Sequence, residues 1–203
     1  LSPTPIQVAA IPLAIACGND VVGVAETGSG KTLAFGFPIL HTLLSTWKTI
    51  QEAPVPGCSV GHENRCPYSV ILAPTRELAM QTSSVLQEVS RNLTRDRRVE
   101  VVSVVGGMSE QKQRRLLGCN ASGDGNSGAK YNKPVHVLVA TPGRLCDLMK
   151  DSTIPAFRDL SRIRFLAIDE ADRMVEDGHF AELSLIFQRI LDHERLAAQG
   201  LCP

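Results

Sequence analysis

The sequence has no excess of charge of either sign, because its 203 residues include 21 Lys and Arg and 21 Asp and Glu. Any nucleic-acid partner would therefore be bound by local groups and not by a globally basic surface. No apolar run approaches the roughly 20 residues of a membrane span, and the N-terminus lacks the basic start and apolar core of a signal peptide. We therefore predict an intracellular protein with no membrane segment. The missing initiator Met suggests that the chain comes from a longer protein.

The sequence contains six cysteines but no secretory signal, a combination that favours reduced thiols. Cys58, His62 and Cys66 lie close enough in sequence to be considered as metal ligands. Their spacing and number match no standard zinc site, however, because a fourth ligand is missing. We interpret them as part of a solvated loop, with a metal site as the alternative.

Near-continuous runs of Val, Ile and Leu predict strands that are buried on both faces of a parallel sheet. Helical patterns separate these runs, and the alternation predicts a doubly wound α/β fold. The predicted strands cover residues 21–24, 69–73, 99–105, 135–140 and 164–168. The predicted helices cover residues 5–16, 33–45, 76–92, 109–117, 143–150 and 179–198.

Two stretches without periodicity predict surface insertions in this fold. Residues 47–67 mix Pro, Gly, Cys and charged residues, and residues 118–132 are rich in Gly and Ser. Neither stretch carries a recognisable functional pattern.

The run AETGSGKT at residues 25–32 follows an apolar stretch and precedes a helical pattern. This order is the one that a phosphate-binding loop requires. Gly28 and Gly30 allow the backbone N–H groups to turn towards phosphate oxygens, Lys31 can pair with the β- and γ-phosphates, and the Thr32 hydroxyl can ligate Mg²⁺. Ala25 stands where a first glycine is usual. The loop predicts a nucleoside triphosphate site, with an ordinary Gly-rich turn before a helix as the alternative.

Acidic residues follow the apolar run Phe165-Leu-Ala-Ile168 directly, as Asp169-Glu-Ala-Asp172. A magnesium-dependent hydrolase needs such a pair opposite its phosphate loop. There Asp169 would hold the metal, usually through water, and Glu170 would orient and deprotonate the attacking water. The alternative is an acidic helix start after a strand, since Asp and Glu favour helix N-termini.

Six segments, in order along nearly the whole chain, resemble the motifs of the first RecA-like domain of DEAD-box RNA helicases. The resemblance implies a doubly wound, mostly parallel RecA-like sheet that binds ATP and Mg²⁺ and acts on RNA. The matching segments are PTPIQ at 3–7, AETGSGKT at 25–32, PTREL at 74–78, Gly106-Gly107, TPGR at 141–144 and DEAD at 169–172.

The resemblance also implies roles for individual residues. Lys31, Asp169 and Glu170 would be catalytic, Thr32 and Asp169 would hold Mg²⁺, and Asp172 would couple the domain to a second one. Adenine would be read by Gln7. The implied ATP-binding residues are Thr4, Gln7, Thr27, Gly28, Ser29, Gly30, Lys31 and Thr32.

The remaining motifs would contact RNA. Each follows an apolar strand, so that helix N-terminal N–H groups and arginines meet at the edge where the phosphate loop lies. Such contacts are blind to base sequence and fit a single-stranded backbone, with RNA distinguished by its 2′-OH. Alone, these segments are also good turn and capping sequences. The implied RNA-binding residues are Pro74, Thr75, Arg76, Gly106, Gly107, Thr141, Gly143 and Arg144.

Several parts of the family pattern do not occur in this sequence. They are the second RecA-like domain with its arginine finger, the Ser-Ala-Thr strand that lies between the strands of the phosphate loop and the DEAD segment, and an aromatic residue upstream of Gln7. We therefore expect residues 1–203 to form an N-terminal ATP-binding domain truncated on its C-terminal side. Alone it should bind ATP weakly and turn over negligibly, and the missing strand should leave two sheet edges unpaired.

The string Gly178-His-Phe-x-Glu-Leu183 resembles a nucleolar DEAD-box subgroup associated with assembly of the large ribosomal subunit. That resemblance implies a nuclear or nucleolar protein acting as a monomer within a ribonucleoprotein complex. The alternative for His179 and Phe180 is packing at a helix start.

A different function, a catalytically silent RNA-binding or scaffold module, stays open, although intact Lys31 and Glu170 argue against it. A DNA- or protein-directed ATPase is disfavoured by Gln7 and the literal DEAD string.

Overall fold

The computed structural model describes residues 2–52, 66–93, 99–119, 135–158, 160 and 163–198. The chain divides into two compact units, Leu1–Ser59 and Val60–Pro203, and each is described by itself. Of the predicted insertion at 118–132, only residues 118 and 119 are among the described residues. The candidate ligands Cys58 and His62 lie outside the described residues.

The first unit consists of two helices, α1 (Pro5–Ala16) and α2 (Lys31–Glu52), joined by the phosphate loop. Pro5 opens α1, a position at which its missing N–H has no partner to lose. Helix α2 continues beyond the predicted end at residue 45, so the first residues of the predicted insertion 47–67 are helical. That boundary was wrong because the loop-like composition of residues 47–67 comes from their later part, whereas residues 47–52 contain no Pro or Gly to end the helix.

The predicted strand at 21–24 is wrong. These residues form no strand, and the side chains of Val22 and Val24 are 96% and 94% exposed. A short apolar run becomes a strand only when a neighbouring strand supplies hydrogen-bond partners, and no strand is described in this unit.

The second unit is built on a four-stranded parallel sheet in the order β2-β3-β1-β4. Its strands are β1 (Ser69–Leu72), β2 (Val101–Val104), β3 (Val137–Ala140) and β4 (Phe165–Ile168). The two central strands, β1 and β3, are buried along their whole length, as expected for Val/Ile/Leu runs covered on both faces. The α/β fold class with a parallel sheet is confirmed.

Five α-helices surround this sheet, and four of them match a predicted helix. Helix α6, which immediately follows the DEAD segment, was not predicted because its six residues are too few to show a periodic pattern. A short 3₁₀ helix, Pro155–Phe157, follows α5. The helices are α3 (Arg76–Leu93), α4 (Glu110–Leu116), α5 (Pro142–Met149), α6 (Ala171–Glu176) and α7 (Phe180–Ala198).

The main core lies between the sheet, α5 and α7. It includes Leu72, Leu138, Leu145 and Ile186, all nearly inaccessible to solvent. Strand β4 is less buried than its neighbour β1 and, within the described ranges, pairs on one side only. The expected open edge beside the DEAD strand is thus present among these residues.

Candidate functional site

The phosphate loop is shaped by two left-handed glycines and by its lysine. Gly28 has φ +79° and Gly30 has φ +88°, a region that residues with a Cβ rarely adopt. Lys31, the first residue of α2, folds its side chain back along the loop. Its Nζ donates to the carbonyl oxygens of Ala25 at 2.5 Å and Glu26 at 3.0 Å. The loop is therefore already wrapped around the ammonium group that would meet a phosphate.

Gln7 joins this loop to the N-terminal helix. Its side chain is buried, its Oε1 accepts from the Thr4 backbone N–H at 3.1 Å, and its Nε2 donates to the Gly30 carbonyl at 3.1 Å. A Cβ on Gly30 would collide with Nε2, so glycine is required there for space as well as for φ. The structure thus brings the predicted adenine reader into direct contact with the predicted phosphate loop.

The other predicted ATP ligands lie in the same loop. Thr27 is exposed, whereas Ser29 and Thr32 are partly buried. The Ser29 hydroxyl is inaccessible to solvent and has no hydrogen-bond partner among the described atoms. A buried hydroxyl without a partner is costly, and a phosphate oxygen would satisfy it. These residues therefore fit a bound nucleoside triphosphate.

The DEAD segment lies at the carboxyl end of β4. The Asp169 N–H donates to the Leu72 carbonyl at 2.9 Å, so Asp169 still belongs to the sheet, and its side chain is only 5% exposed. Glu170 is the next residue and has φ 49° and ψ 53°, the left-handed conformation. Among the described residues it is the one non-glycine with positive φ. Strain of this kind, about 1–3 kcal/mol, is concentrated at functional sites.

The Glu170 carboxylate lies beside Arg173, which also contacts Asp177. Arg173 Nη1 lies 3.6 Å from Glu170 Oε2, and Arg173 Nε lies 3.7 Å from Asp177 Oδ2. The Asp172 side chain is exposed, as a residue that couples to another domain would need to be. Asp169, Glu170 and Asp172 therefore differ in environment although they are neighbours in sequence.

The donors available for a metal fit Mg²⁺ bound together with a nucleotide. The Thr32 hydroxyl and the Asp169 carboxylate are hard oxygen ligands, and Mg²⁺ usually takes one or two such protein ligands plus water and substrate phosphates. In the part of the chain that is described, no group of three or more His, Cys, Asp or Glu could hold a metal by itself. Thr32 lies in the first unit and Asp169 in the second.

The turns after β1 and β2 are in direct contact. Arg76, the first residue of α3, donates from Nη1 to the Gly106 carbonyl at 2.9 Å. Gly107 has φ +71°, and a Cβ on it would lie 2.5 Å from Arg76 Nη1. Thr75 caps α3, because its Oγ1 accepts from the Leu78 N–H at 3.2 Å. Arg76, Gly106 and Gly107 are exposed, so this contact lies on the surface.

The turn after β3 is connected to the turn after β2. The Thr141 N–H donates to the Val104 carbonyl at 3.2 Å, and Thr141 and Pro142 begin α5. Arg144 donates from Nε to Gln113 Oε1 at 2.8 Å. Gly143 has open space around its Cα. Seven of the eight predicted RNA-binding residues are at least partly accessible at one edge of the sheet, and Pro74 is buried beneath it.

Sequence reasoning missed Gln113. It is the one buried residue of α4 and is fully inaccessible to solvent. Its Nε2 donates to the Val105 carbonyl at 2.7 Å and to the Met108 carbonyl at 3.4 Å. A polar residue in an otherwise polar helix gives no periodic signal, so only its position six residues after the Gly-Gly pair could have drawn attention to it.

The Gly178 segment forms the end of α6. Gly178 has φ +80°, its N–H donates to Val175 O at 3.2 Å, and the His179 N–H donates to Met174 O at 3.0 Å. These two bonds make a Schellman C-cap. Phe180 is exposed and Leu183 is buried, so the Gly178–Leu183 string combines the end of a helix with one core residue and one surface aromatic residue.

Comparison with known proteins identifies relatives along the whole described chain. The family profile described as DEAD/DEAH box helicase matches residues 4–199. The chain is 43% identical over 191 residues to DEAD-box ATP-dependent RNA helicase 13 of rice, and this match covers 93% of the chain and 21% of the relative. It is 38% identical to the ATP-dependent RNA helicase MAK5 of Saccharomyces cerevisiae, with 96% and 22% covered.

Solved structures of similar proteins share the fold. The yeast DEAD-box splicing factor Prp28 superposes with a TM-score of 0.71 at 32% identity, covering 95% of this chain and 37% of that one. The RNA helicase Prp28 of Chaetomium thermophilum, crystallised with ADP, superposes with a TM-score of 0.65 at 37% identity, covering 91% and 37%. The chain spans about a fifth of the length of the rice and Saccharomyces cerevisiae helicases named above. Among the described residues, no helix has the length and apolarity to cross a membrane.

Proposed function

Because the chain belongs to the DEAD/DEAH box helicase family, we propose that it is the first RecA-like domain of a longer ATP-dependent RNA helicase. This domain would bind ATP and RNA and would couple ATP hydrolysis to the remodelling of RNA duplexes or RNA–protein contacts. The contact between Gln7 and Gly30 carries the proposal, because it joins a base-reading amide to a phosphate loop.

The hydrogen bonds of Gln7 would favour adenine over guanine. Its Oε1 accepts one bond from Thr4 N–H and its Nε2 gives one to Gly30 O. A side-chain amide has two acceptor sites and two N–H groups, so one donor and one acceptor remain. Adenine offers the complementary pair, N7 as acceptor and N6–H as donor, whereas guanine offers two acceptors on the same edge.

Hydrolysis would use side chains of two motifs, AETGSGKT and DEAD. Lys31 would bind the β- and γ-phosphates, and Thr32, with Asp169 acting through water, would hold Mg²⁺, which neutralises the charge on the phosphates. Glu170 would orient the attacking water and take its proton. Arg173, 3.6 Å from the Glu170 carboxylate, would keep that carboxylate oriented.

RNA would bind at the turns after β1, β2 and β3. Arg76 and Arg144 supply charge for phosphate oxygens, and the exposed Gly106 and Gly107 allow close approach of the backbone. Two phosphate contacts predict a shallow dependence of binding on salt, with a slope of log K against log salt of about −1 to −2 for a single strand. This binding would be independent of base sequence.

The family resemblance also implies a second RecA-like domain and a role in the nucleolus. The second RecA-like domain would provide an arginine finger, whose absence lowers the rate of comparable enzymes by about 10³–10⁵. The isolated domain should therefore turn over negligibly. The Gly178–Leu183 string supports a role in ribosome biogenesis in the nucleolus, as a monomer within a ribonucleoprotein complex.

The test is Glu170→Gln in the full-length protein. We expect RNA-stimulated ATP hydrolysis to fall by about 10²–10⁴, because a general base is lost. Binding of ATP and of single-stranded RNA should persist, since the amide keeps the size of the side chain. Glu176→Gln, at the other end of α6, is the matched control and should leave the rate unchanged.

The same experiment separates the enzyme from a silent scaffold module. A wild-type protein that binds RNA but shows no RNA-stimulated hydrolysis would favour the scaffold. Unchanged turnover in Glu170→Gln would remove Glu170 from the catalytic residues.

A further inference from the structure

Gln113 occupies an unusual position for a polar side chain. It is fully buried, and it is the one buried residue of α4, whose sequence Glu-Gln-Lys-Gln-Arg-Arg-Leu is otherwise polar or exposed. A helix without an apolar face gains little from hydrophobic burial. A buried polar group must be hydrogen-bonded to be tolerated, so what Gln113 contacts shows what it does.

Both ends of the Gln113 amide are in use, and they face different motifs. Nε2 donates to the carbonyls of Val105 and Met108, which flank the Gly106–Gly107 turn on either side. Oε1 accepts from Arg144 Nε at 2.8 Å. The partners fix the orientation of the amide, because carbonyl oxygens require its N–H groups and the guanidinium requires its oxygen.

The bond to Nε leaves the outer part of the Arg144 guanidinium available. Among the described contacts Arg144 donates only through Nε. Its two Nη groups therefore remain for a phosphate, in the planar arrangement that suits bidentate binding. A flexible arginine would lose side-chain entropy on binding RNA, whereas one already held at Nε loses less.

Neighbouring contacts hold α4 in place on both sides of Gln113. Arg114 pairs with Asp151 and donates from Nη2 to Thr153 Oγ1 at 2.8 Å, beyond the end of α5. Thr153 in turn donates to Asp151 Oδ1 from both N–H and Oγ1, and these bonds, with Arg114 contributing less, lower the pKa of the Asp151 carboxyl. Helices α4 and α5 are thus joined at both ends of α5.

We propose that Gln113 is a positioning residue for RNA binding, which holds the Arg144 guanidinium at a fixed place relative to the Gly106–Gly107 turn. It does not touch RNA itself. This inference rests on the proposed function, since it takes Arg144 and the turn as RNA contacts.

The test is a double-mutant cycle in the full-length protein, with Gln113→Leu, Arg144→Ala and both together. The probe is a short labelled oligouridylate, titrated in the presence of a non-hydrolysable ATP analogue. We expect each single change to weaken RNA binding about tenfold, the scale of one lost charge-assisted hydrogen bond. The double change should also weaken it about tenfold, because Gln113 acts through Arg144.

Two controls distinguish positioning from stability. Gln111→Leu makes the same change at an exposed position of the same helix and should leave binding unaltered. Gln87→Leu removes a comparable bond, from Nε2 to the Val101 carbonyl at 3.1 Å, at the far end of β2. It should lower the melting temperature without weakening RNA binding. The affinity for ATP should be unchanged in all variants.

If Gln113→Leu fails to fold, Arg144→Lys removes the Nε–H that Gln113 accepts from but keeps the positive charge and leaves the bonds from Gln113 to Val105 and Met108 in place. We expect this variant to bind RNA about tenfold more weakly with an unchanged salt slope, because the charge is kept but is no longer held in position.

The outcomes distinguish an error in the proposed RNA site from an error in the positioning role of Gln113. If Arg144→Ala does not weaken RNA binding, the proposed RNA site is wrong. If Arg144→Ala weakens binding but Gln113→Leu and Arg144→Lys do not, or if the effect of the double change equals the product of the two single effects, the positioning role is wrong.

Discussion

Gly28 and Gly30 of the phosphate loop have similar backbone conformations but different surroundings. Both have positive φ, at +79° and +88°. A Cβ on Gly28 would meet nothing within 4 Å, whereas one on Gly30 would collide with the Gln7 amide and approach Thr4 Oγ1 at 3.3 Å. The pair therefore separates the effect of backbone strain from that of a displaced adenine reader.

We predict that Gly30→Ala weakens ATP binding more than Gly28→Ala does. Each change should cost about 1–2 kcal/mol through left-handed strain alone. Gly30→Ala should in addition displace Gln7 and reduce the preference for ATP over GTP by about tenfold. Nucleotide titrations of both variants measure this, and equal loss of base preference in the two would contradict the role of Gln7.

At the residue scale, the sequence allowed roles to be proposed where a motif is one continuous segment. Lys31, Thr32, Asp169 and Glu170 were proposed from neighbouring positions, because the functions proposed for them require a fixed local order. Gln113 was not predictable, because its significance comes from three partners on other segments.

Helix α3 carries a buried hydroxyl that nothing satisfies. Thr82 is 1% exposed, and its Oγ1 has no hydrogen-bond partner in the described part of the chain. The buried positions Ala79, Thr82, Ser83, Leu86 and Ser90 form the face of the helix that packs inward. Three of the five residues on this face carry a hydroxyl, and the unpaired hydroxyl of Thr82 lowers the stability of the fold.

We predict that Thr82→Val stabilises the protein by about 1 kcal/mol, because Val has the same shape and no unpaired hydroxyl. The two residues have similar helix propensities, so the backbone contributes little. Thermal denaturation should show a rise of about 2–4 °C. Ser84→Val, on the exposed face of the same helix, is the control and should have little effect, because Ser and Val have similar helix propensities and the Ser84 hydroxyl is not buried. A fall in melting temperature for Thr82→Val would show that the hydroxyl has a partner such as an ordered water.

At the element scale, prediction succeeded where a pattern was long or where its partners lie nearby. Helix α3 and strands β1 and β3 were found to within a few residues because their burial patterns are regular. The strand at 21–24 was wrong because a strand depends on neighbours that local sequence does not contain. Helix α6 is too short to have a pattern of its own.

The stability of the second unit should depend on the protonation of His136. The Glu100 N–H donates to His136 Nδ1 at 2.9 Å, and the His136 N–H donates to the Glu100 carbonyl at 3.0 Å, where β2 and β3 begin. Burial lowers the pKa of His136 to about 4, against a smaller opposing effect of the Glu100 carboxylate. Protonation of the imidazole would put a hydrogen on Nδ1, the atom that accepts the bond from the Glu100 N–H.

We predict that the free energy of unfolding falls as the pH is lowered from 6.5 to about 4. In this window the unfolded chain binds the proton that the folded protein excludes, so acid favours unfolding. Above pH 6.5 the histidine is neutral in both states and its contribution is fully present. The loss across the window should be at most about 3 kcal/mol.

Chemical denaturation at a series of pH values measures this effect. His136→Gln should flatten the curve between pH 6.5 and 4, whereas His41→Gln, on the exposed side of α2, controls for the loss of a histidine as such. An identical pH dependence in wild type and His136→Gln would contradict the assignment.

At the scale of the whole molecule, the α/β class, the parallel sheet and the order of the motifs followed from the sequence, because alternating buried strands and helices allow few arrangements. The hydrogen bonds that connect the turns after β1, β2 and β3 could not be predicted from the sequence. They depend on the spatial order β2-β3-β1, in which β3 lies between strands that precede it in the chain.

The position of the DEAD segment has a mechanical consequence. Asp169 is held to β1 through its backbone N–H, while Glu170 is the first residue of the turn into α6. The peptide between them is therefore the boundary between a rigid sheet and a short helix. A small rotation of α6 would move the Glu170 carboxylate relative to the sheet, whereas Asp169 would keep its position. If Asp169 holds the metal and Glu170 acts as the base, as proposed above, their positions can then be adjusted separately, although they are adjacent in sequence.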